Sequence, residues 1–250
     1  MRCDPTYQPA PDLLRDRIVL ITGAGDGLGK ATALGCARHG ATLILLGRTI
    51  RKLENTYDEI VAAGGPEPAI YPMNLEGAAP KDYDDLAATL TREFGHLSGL
   101  VHNAAELGAL SPTDHYSIEQ WYRVLQVNLN APFLLTRACL PLLRKASDAS
   151  VVFVSDAVGR KAKAYWGAYA VSKFGIEGLM QVLADETENS GTIRCNSYDP
   201  GILNTQLRRN AYPAEEIAAN PAPESAVPGL LYLLGPDSKG VTGEQCTWSP

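Results

Sequence analysis

Cysteine is sparse and scattered. Cys3, Cys36, Cys139, Cys195 and Cys246 contain no pair at metal-site or redox-motif spacing, and an odd count spread over 250 residues does not read as a disulfide framework. Histidine is rarer, and His39, His96, His102 and His115 form neither an HxxxH nor an HExxH pattern, so no metal site is expected. No apolar run approaches the roughly 20 residues that a membrane span requires. The polar start Met1-Arg2-Cys3-Asp4-Pro5 lacks the apolar core of a signal peptide, so a cytoplasmic protein with reduced thiols is expected. Basic residues are outnumbered, 22 against 28 acidic, and the net charge of -6 argues against nucleic acid or anionic membrane as a partner.

Against these absences stands an ordinary globular composition, 45% hydrophobic and 20% charged, able to bury a full core. Short continuous apolar runs alternate with segments of helical spacing. Strands are expected at 17–22, 41–46, 69–73, 100–102, 150–154, 192–198 and 245–248. Helices are expected at 28–39, 50–63, 81–94, 168–188 and 224–234, with a long one over 118–143 bent at Pro132. Strands buried on both faces and separated by helices build a parallel sheet through right-handed crossovers. With no repeat, linker or composition break, residues 1–250 read as a single α/β domain of the doubly wound, Rossmann type. The irregular stretch 202–223 reads as a substrate lid.

In such folds ligands bind beyond the carboxyl ends of the strands. After the first strand comes Thr22-Gly23-Ala24-Gly25-Asp26-Gly27-Leu28-Gly29. Glycines let the backbone turn and approach a phosphate, and the helix beginning at Leu28 offers free N–H groups and a positive dipole end to a pyrophosphate. The second strand ends in Gly47-Arg48, where an acid would read the ribose hydroxyls of NAD(H). Arg48, with Arg51 and Lys52 behind it, suits the extra phosphate of NADP(H) instead, although Asp26 places a negative charge in the same turn. Further along, Tyr169 and Lys173 lie four apart on one helical face, where an ammonium lowers a phenol's pKa towards the range of a general acid/base.

Assembled in this order, the residues resemble the short-chain dehydrogenase/reductase family in its compact form, over nearly the whole chain. Its glycine motif matches residues 22–29, its Asn-Ala-Gly element Asn103-Ala104-Ala105, its helix asparagine Asn128, its Tyr-x-x-x-Lys pair Tyr169 and Lys173, and its Pro-Gly-x-x-x-Thr segment Pro200 to Thr205. The run from Trp166 to Glu186 is also similar to a bacterial subgroup of poorly characterised oxidoreductases. The resemblance implies a small-molecule carbonyl or secondary alcohol as substrate and Tyr169 as the proton-exchanging group. Lys173 would hold the nicotinamide ribose and Asn128 a water-linked proton path. Gly23, Gly25, Asp26, Gly27, Leu28, Gly29, Arg48, Asn74, Leu75, Asn103, Ala104 and Ala105 would line the cofactor, with Pro200, Gly201, Leu203 and Thr205 at its carboxamide. A homodimer or homotetramer is implied, through the helices carrying Asn128 and Tyr169.

The chain departs from that pattern at one decisive place. The family sets a serine thirteen residues before the tyrosine to bind the substrate oxygen, and here that residue is Asp156. An ionised carboxylate repels a developing alkoxide and raises the pKa of Tyr169. Three readings stand: Ser155 substitutes, Asp156 is protonated and donates, or Asp156 pairs with Arg160, Lys161 or Lys163. The last would leave a weak enzyme, or a cofactor-binding protein with a regulatory role. Asn74 stands where the family has an Asp that reads the adenine amino group, and Ala105 replaces a glycine. Tyr165, Trp166, Leu107 and Leu203 are the expected pocket walls.

Overall fold

The run Ile18–Thr22 forms β1 and sends alternate side chains to opposite faces of a sheet: Val19 and Ile21 to one core, Leu20 to the other. That is why the strand is apolar throughout. The computed structural model describes residues 1 and 3–248. In chain order, β1 is followed by α1 (Gly27–Arg38), β2 (Thr42–Gly47), α2 (Ile50–Ala62), β3 (Ala69–Pro72), α3 (Pro80–Phe94) and β4 (Gly99–His102). Then come α4 (Ile118–Leu125), α5 (Ala131–Leu143), β5 (Ala149–Val154), α6 (Gly167–Glu188), β6 (Ile193–Asp199), α7 (Gln206–Ala211), α8 (Val227–Leu234) and β7 (Gln245–Thr247).

The seven strands form one parallel sheet in the order β3-β2-β1-β4-β5-β6-β7. Strand order reverses between β1 and β4, which opens a crevice at their carboxyl ends. One core packs α1 and α8 on the sheet, with Cys36, Leu230 and Leu234 at its centre; the other packs α3, α5 and α6 through Leu86, Leu135, Leu142 and Met180. This is the doubly wound α/β architecture expected.

Two expected elements differ in detail. The 118–143 helix is interrupted just before Pro132, by a π-helical turn over Gln126–Asn130 in which the Ala131 amide reaches back to the Gln126 carbonyl. Pro132 has no N–H to offer the carbonyl of Asn128 four residues back, so the ladder slips to a wider ring just before it. The stretch 202–223 is not wholly irregular, because the Thr205 hydroxyl accepts from the Arg208 amide and caps α7.

His102, at the end of β4, is buried. It stacks on Phe153 with centroids 4.8 Å apart, and its Nε2 lies 2.8 Å from the Thr136 hydroxyl. Burial lowers its pKa from 6.5 to about 3, so the folded chain holds it neutral. Between those values the unfolded chain binds the extra proton. The stability due to this neutral histidine is therefore complete above pH ~6.5 and is lost as pH falls, with a slope approaching about 1.4 kcal/mol per pH unit. Urea midpoints taken from pH 7 down to 5 are expected to fall more steeply for the wild type than for His102→Gln; parallel profiles would refute the assignment.

Candidate active site

The crevice at the β1/β4 reversal is a cleft of about 900 Å³. Its floor is the turn after β1. Gly23 (φ +68°) and Gly27 (φ +50°) adopt left-handed conformations there, and a Cβ on Gly25 would meet the Lys52 Cβ at 2.8 Å. Only glycine lets this turn run so flat beneath a ligand. Asp26 caps α1, its Oδ1 accepting from the Gly27 amide at 2.8 Å, and its other oxygen takes the Lys52 ammonium. That ion pair holds the Asp26 carboxyl below its usual range and offsets the negative charge in the turn. Lys52 is therefore committed, and Arg51 does not line the cleft. Arg48 does, exposed at the end of β2 and with no ion pair among the described residues.

The opposite wall comes from the turn after β4. The Thr22 hydroxyl accepts from the amides of Asn103 and Ala104, both at 3.0 Å, and Asn103 Nδ2 donates to the Thr22 carbonyl at 2.9 Å. These bonds tie the β1 and β4 ends together and set the cleft width. Ala105 is not in a left-handed conformation, so losing the family's glycine costs no backbone strain here. Asn74 is exposed and its Oδ1 accepts from the Glu76 amide at 3.2 Å, leaving a second lone pair. Leu28, Leu75, Pro200, Gly201 (φ +71°), Leu203 and Thr205 complete the lining of the elongated cleft.

Gly29 is placed differently from the expectation. It lies behind the cleft, where a Cβ would run into the Gly23 carbonyl and the Asn103 amide, so it serves close packing of α1 on the turn and not the ligand. Asn128 is also outside the lining. Its Oδ1 accepts from the Glu106 amide at 2.7 Å, and its Nδ2 donates to the Glu106 carbonyl at 2.9 Å and to Ser172 at 3.0 Å. The π turn presents this side chain as a clamp between the β4 loop and α6.

At the inner end of the cleft, α6 brings Tyr169 and Lys173 onto one face, as their spacing requires. Both are buried. Lys173 Nζ donates to the Val154 carbonyl at 2.8 Å and lies 5.5 Å from the Tyr169 ring centroid. Burial brings its ammonium down to about 8. The Tyr169 hydroxyl donates to Asp156 Oδ2 at 3.2 Å. Burial first, then the Asp156 charge, holds this phenol well above its ordinary value, opposite to the lowering that the Lys173 neighbour alone suggests. At neutral pH Tyr169 keeps its proton.

The other Asp156 oxygen accepts from the Val158 amide at 3.0 Å, and among the described residues Asp156 makes no ion pair. Arg160 instead bonds Glu177 at 3.3 Å and reaches Thr247 and the Cys246 carbonyl. Lys163 donates to the Tyr212 hydroxyl at 3.2 Å. The ion-paired reading of Asp156 thus fails on geometry. Ser155 belongs to the cleft lining, but its hydroxyl is sealed from solvent and has no hydrogen-bond partner. Asp156, not Ser155, faces Tyr169.

Trp166 packs on Tyr169 (5.6 Å) and Tyr212 (5.8 Å) and lines the cleft with Leu107. Tyr165 is 61% exposed and does not line it. Sequence reasoning missed Glu106, Arg208 and Tyr212, which enter the lining from the β4 loop and α7 and share no local motif with the rest.

The glycine cradle, the free Arg48 and the buried Tyr169–Lys173 pair fit a phosphorylated dinucleotide with its reactive ring at the inner end. A family model described as short chain dehydrogenase matches residues 17–216. The chain is 43% identical over 237 residues to the uncharacterized oxidoreductase YciK of Escherichia coli K12, covering 95% of this chain and 93% of that one. Among solved structures, a short chain dehydrogenase of Pseudomonas syringae superposes with a TM-score of 0.96 at 48% identity, over 99% of both chains. One from Shigella flexneri 2a, complexed with NADP, superposes at 0.93 with 41% identity over 95% of this chain and 99% of that one.

Proposed function

The chain belongs to the short chain dehydrogenase family, and we propose that it is an NADP(H)-dependent oxidoreductase acting on a small molecule at the Tyr169 end of the cleft. The carrying observation is the convergence, in one cleft, of a glycine cradle at a helix N-terminus with a buried Tyr169–Lys173 pair. When bound, the nicotinamide supplies or takes a hydride at its ring C4. The protein's part is positional and protonic. Tyr169 holds a proton at the reacting atom, and Lys173, anchored on the Val154 carbonyl, fixes the floor beneath it. Asn128 is a positioning residue that locks the Glu106 backbone to α6. A carbonyl or secondary alcohol is the substrate pair that the family resemblance implies. A second reading, a cofactor-binding protein with weak turnover, draws on Asp156 occupying the oxygen-binding position. Fluorescence titration with NADPH tests both readings, and failure to bind would sink them together.

Preference for NADP(H) rests on Arg48, whose guanidinium is free to fork onto a phosphate while Lys52 is held by Asp26. A charge-assisted bond of roughly 1.5–3 kcal/mol is worth about 10- to 100-fold in affinity. Arg48→Ala is therefore expected to weaken NADPH binding by that factor and leave NADH binding within threefold. Equal losses for both would show that Arg48 does not read the phosphate.

Residues 202–223, carrying α7, are proposed as the lid, braced by the two-pronged Arg208–Glu215 pair (both bonds 2.6 Å) and by Arg208 stacked 3.7 Å over the Tyr212 ring. A homodimer or homotetramer is proposed through α4–α6, which expose Tyr122 (68%), Phe133 (50%) and Phe174 (45%). The double variant Phe133→Asp/Phe174→Asp is expected to sediment as a folded monomer where the wild type does not. An unchanged sedimentation coefficient would place the interface elsewhere.

A further inference from the structure

We infer that the atom of the substrate facing Asp156 is a protonated nitrogen: the protein reduces a C=N bond in its iminium form, or in reverse oxidises an amine to that iminium. This rests on the cleft being a nicotinamide-dependent site and narrows the reacting group within it.

A carbonyl oxygen brings no proton and develops negative charge as it is reduced, so its site must supply donors. Here the donors of Tyr169, Lys173 and Asn128 are already bonded. The Tyr169 hydroxyl donates to Asp156 Oδ2 at 3.2 Å, and the Lys173 ammonium to the Val154 carbonyl at 2.8 Å. The Ser155 hydroxyl is sealed from solvent, and Asn128 Nδ2 is spent on Glu106 and Ser172. What stands beside Tyr169 is a carboxylate, which in its ionised form can only accept. No cation bonds it, since Arg160 is turned to Glu177 and Lys163 to Tyr212. Glu106, which lines the same cleft, is paired with Arg123 at 3.5 Å, and the Lys173 ammonium lies in the field of Asp156 without bonding it.

An iminium nitrogen reverses each of these conflicts. Its N–H donates to Asp156, and its charge is complemented there. The transition state lies between a cationic iminium and a neutral amine, so in either direction it carries positive charge at nitrogen. In reduction, the substrate carbon gains a C–H bond made with the electron pair of the C4–H bond of the reduced nicotinamide, which becomes a pyridinium. The C=N π pair settles on nitrogen as a lone pair. Two electrons pass from cofactor to substrate, and the neutral amine then takes a proton from water through the Tyr169 hydroxyl. The Trp166 ring, with Leu107 and Leu203, provides an apolar, aromatic wall for a cyclic substrate, while the Tyr212 ring is already covered by Arg208 at 3.7 Å.

The test compares pyrroline, a cyclic imine, with cyclopentanone under NADPH, and cyclopentanol with pyrrolidine under NADP+. Wild type is expected to prefer pyrroline over cyclopentanone by at least about tenfold in kcat/KM. Asp156→Ser is expected to invert that preference, within the roughly 10²–10³ range that one donor at such a site commands. Calorimetry gives a readout independent of turnover: protonated pyrrolidine should bind the NADP+-loaded wild type and lose at least about tenfold in affinity in both Asp156→Ser and Asp156→Asn. Comparable wild-type turnover of cyclopentanone or cyclopentanol, or pyrrolidine binding indifferent to residue 156, would overturn the inference. NADPH binding without pyrroline turnover or pyrrolidine binding would overturn it alone. Absence of NADPH binding would overturn the oxidoreductase reading with it.

Discussion

Tyr169→Phe is expected to lower kcat by about 10²–10⁴-fold, the range associated with loss of a positioned proton donor or acceptor. NADPH affinity and thermal stability should stay near wild type. The variant removes one oxygen and leaves the ring in place, still packed on Trp166 at 5.6 Å and under Lys173 at 5.5 Å. The lost bond is the one to Asp156 Oδ2, and deleting it also removes a group that Asp156 and burial together keep protonated. Steady-state rates on any substrate turned over by the wild type, read beside an NADPH titration, separate chemistry from binding. A kcat within threefold of wild type would show that Tyr169 does not exchange the proton and would move that role to Asp156.

The second large effect is expected at the glycine turn. In Gly29→Ala the added methyl collides with the Gly23 carbonyl oxygen and the Asn103 side-chain amide, neither of which can move freely. Gly23 holds the turn at φ +68°, and Asn103 is bonded to the Thr22 carbonyl at 2.9 Å. Start of α1 and turn must separate, so the cost is that of overpacking, about 1–3 kcal/mol or more. For a chain of this size that is roughly 3–10 °C in Tm. Because the same movement opens the phosphate cradle, NADPH affinity is expected to fall by at least about tenfold. Gly178→Ala is the matched control. It lies in α6 with nothing within 4 Å of the new methyl, and should be neutral or stabilising by up to about 1 kcal/mol. Equal effects at both positions would refute the packing account of Gly29.

The readable features of the sequence are those set by local rules. Runs such as Ile18–Thr22 and Ala149–Val154 carry apolar residues on both alternating faces because each strand is covered on both sides, and that alone implies a parallel sheet within helices. Tyr169 and Lys173 meet because four residues is one helical turn, wherever the helix lies. The glycine turn stands at a switch point because it follows the first strand of an alternating array. The residues at which the fold resembles its family are, with few exceptions, the ones that line the cleft.

The exceptions depend on partners distant in the chain. Whether Lys52 or Arg48 is free for a phosphate turns on Asp26, more than 20 positions away from either. Asn128 becomes a clamp only because a π turn before Pro132 aims it at the Glu106 backbone and Ser172. Asp156 had three candidate cations within seven residues, yet Arg160 chose Glu177 and β7, and the carboxylate was left bonding the Tyr169 hydroxyl and the Val158 amide. Periodicity and spacing are properties of a segment and survive in one dimension. The protonation and pairing of a charge are properties of everything packed around it, and only the folded chain assembles that surrounding.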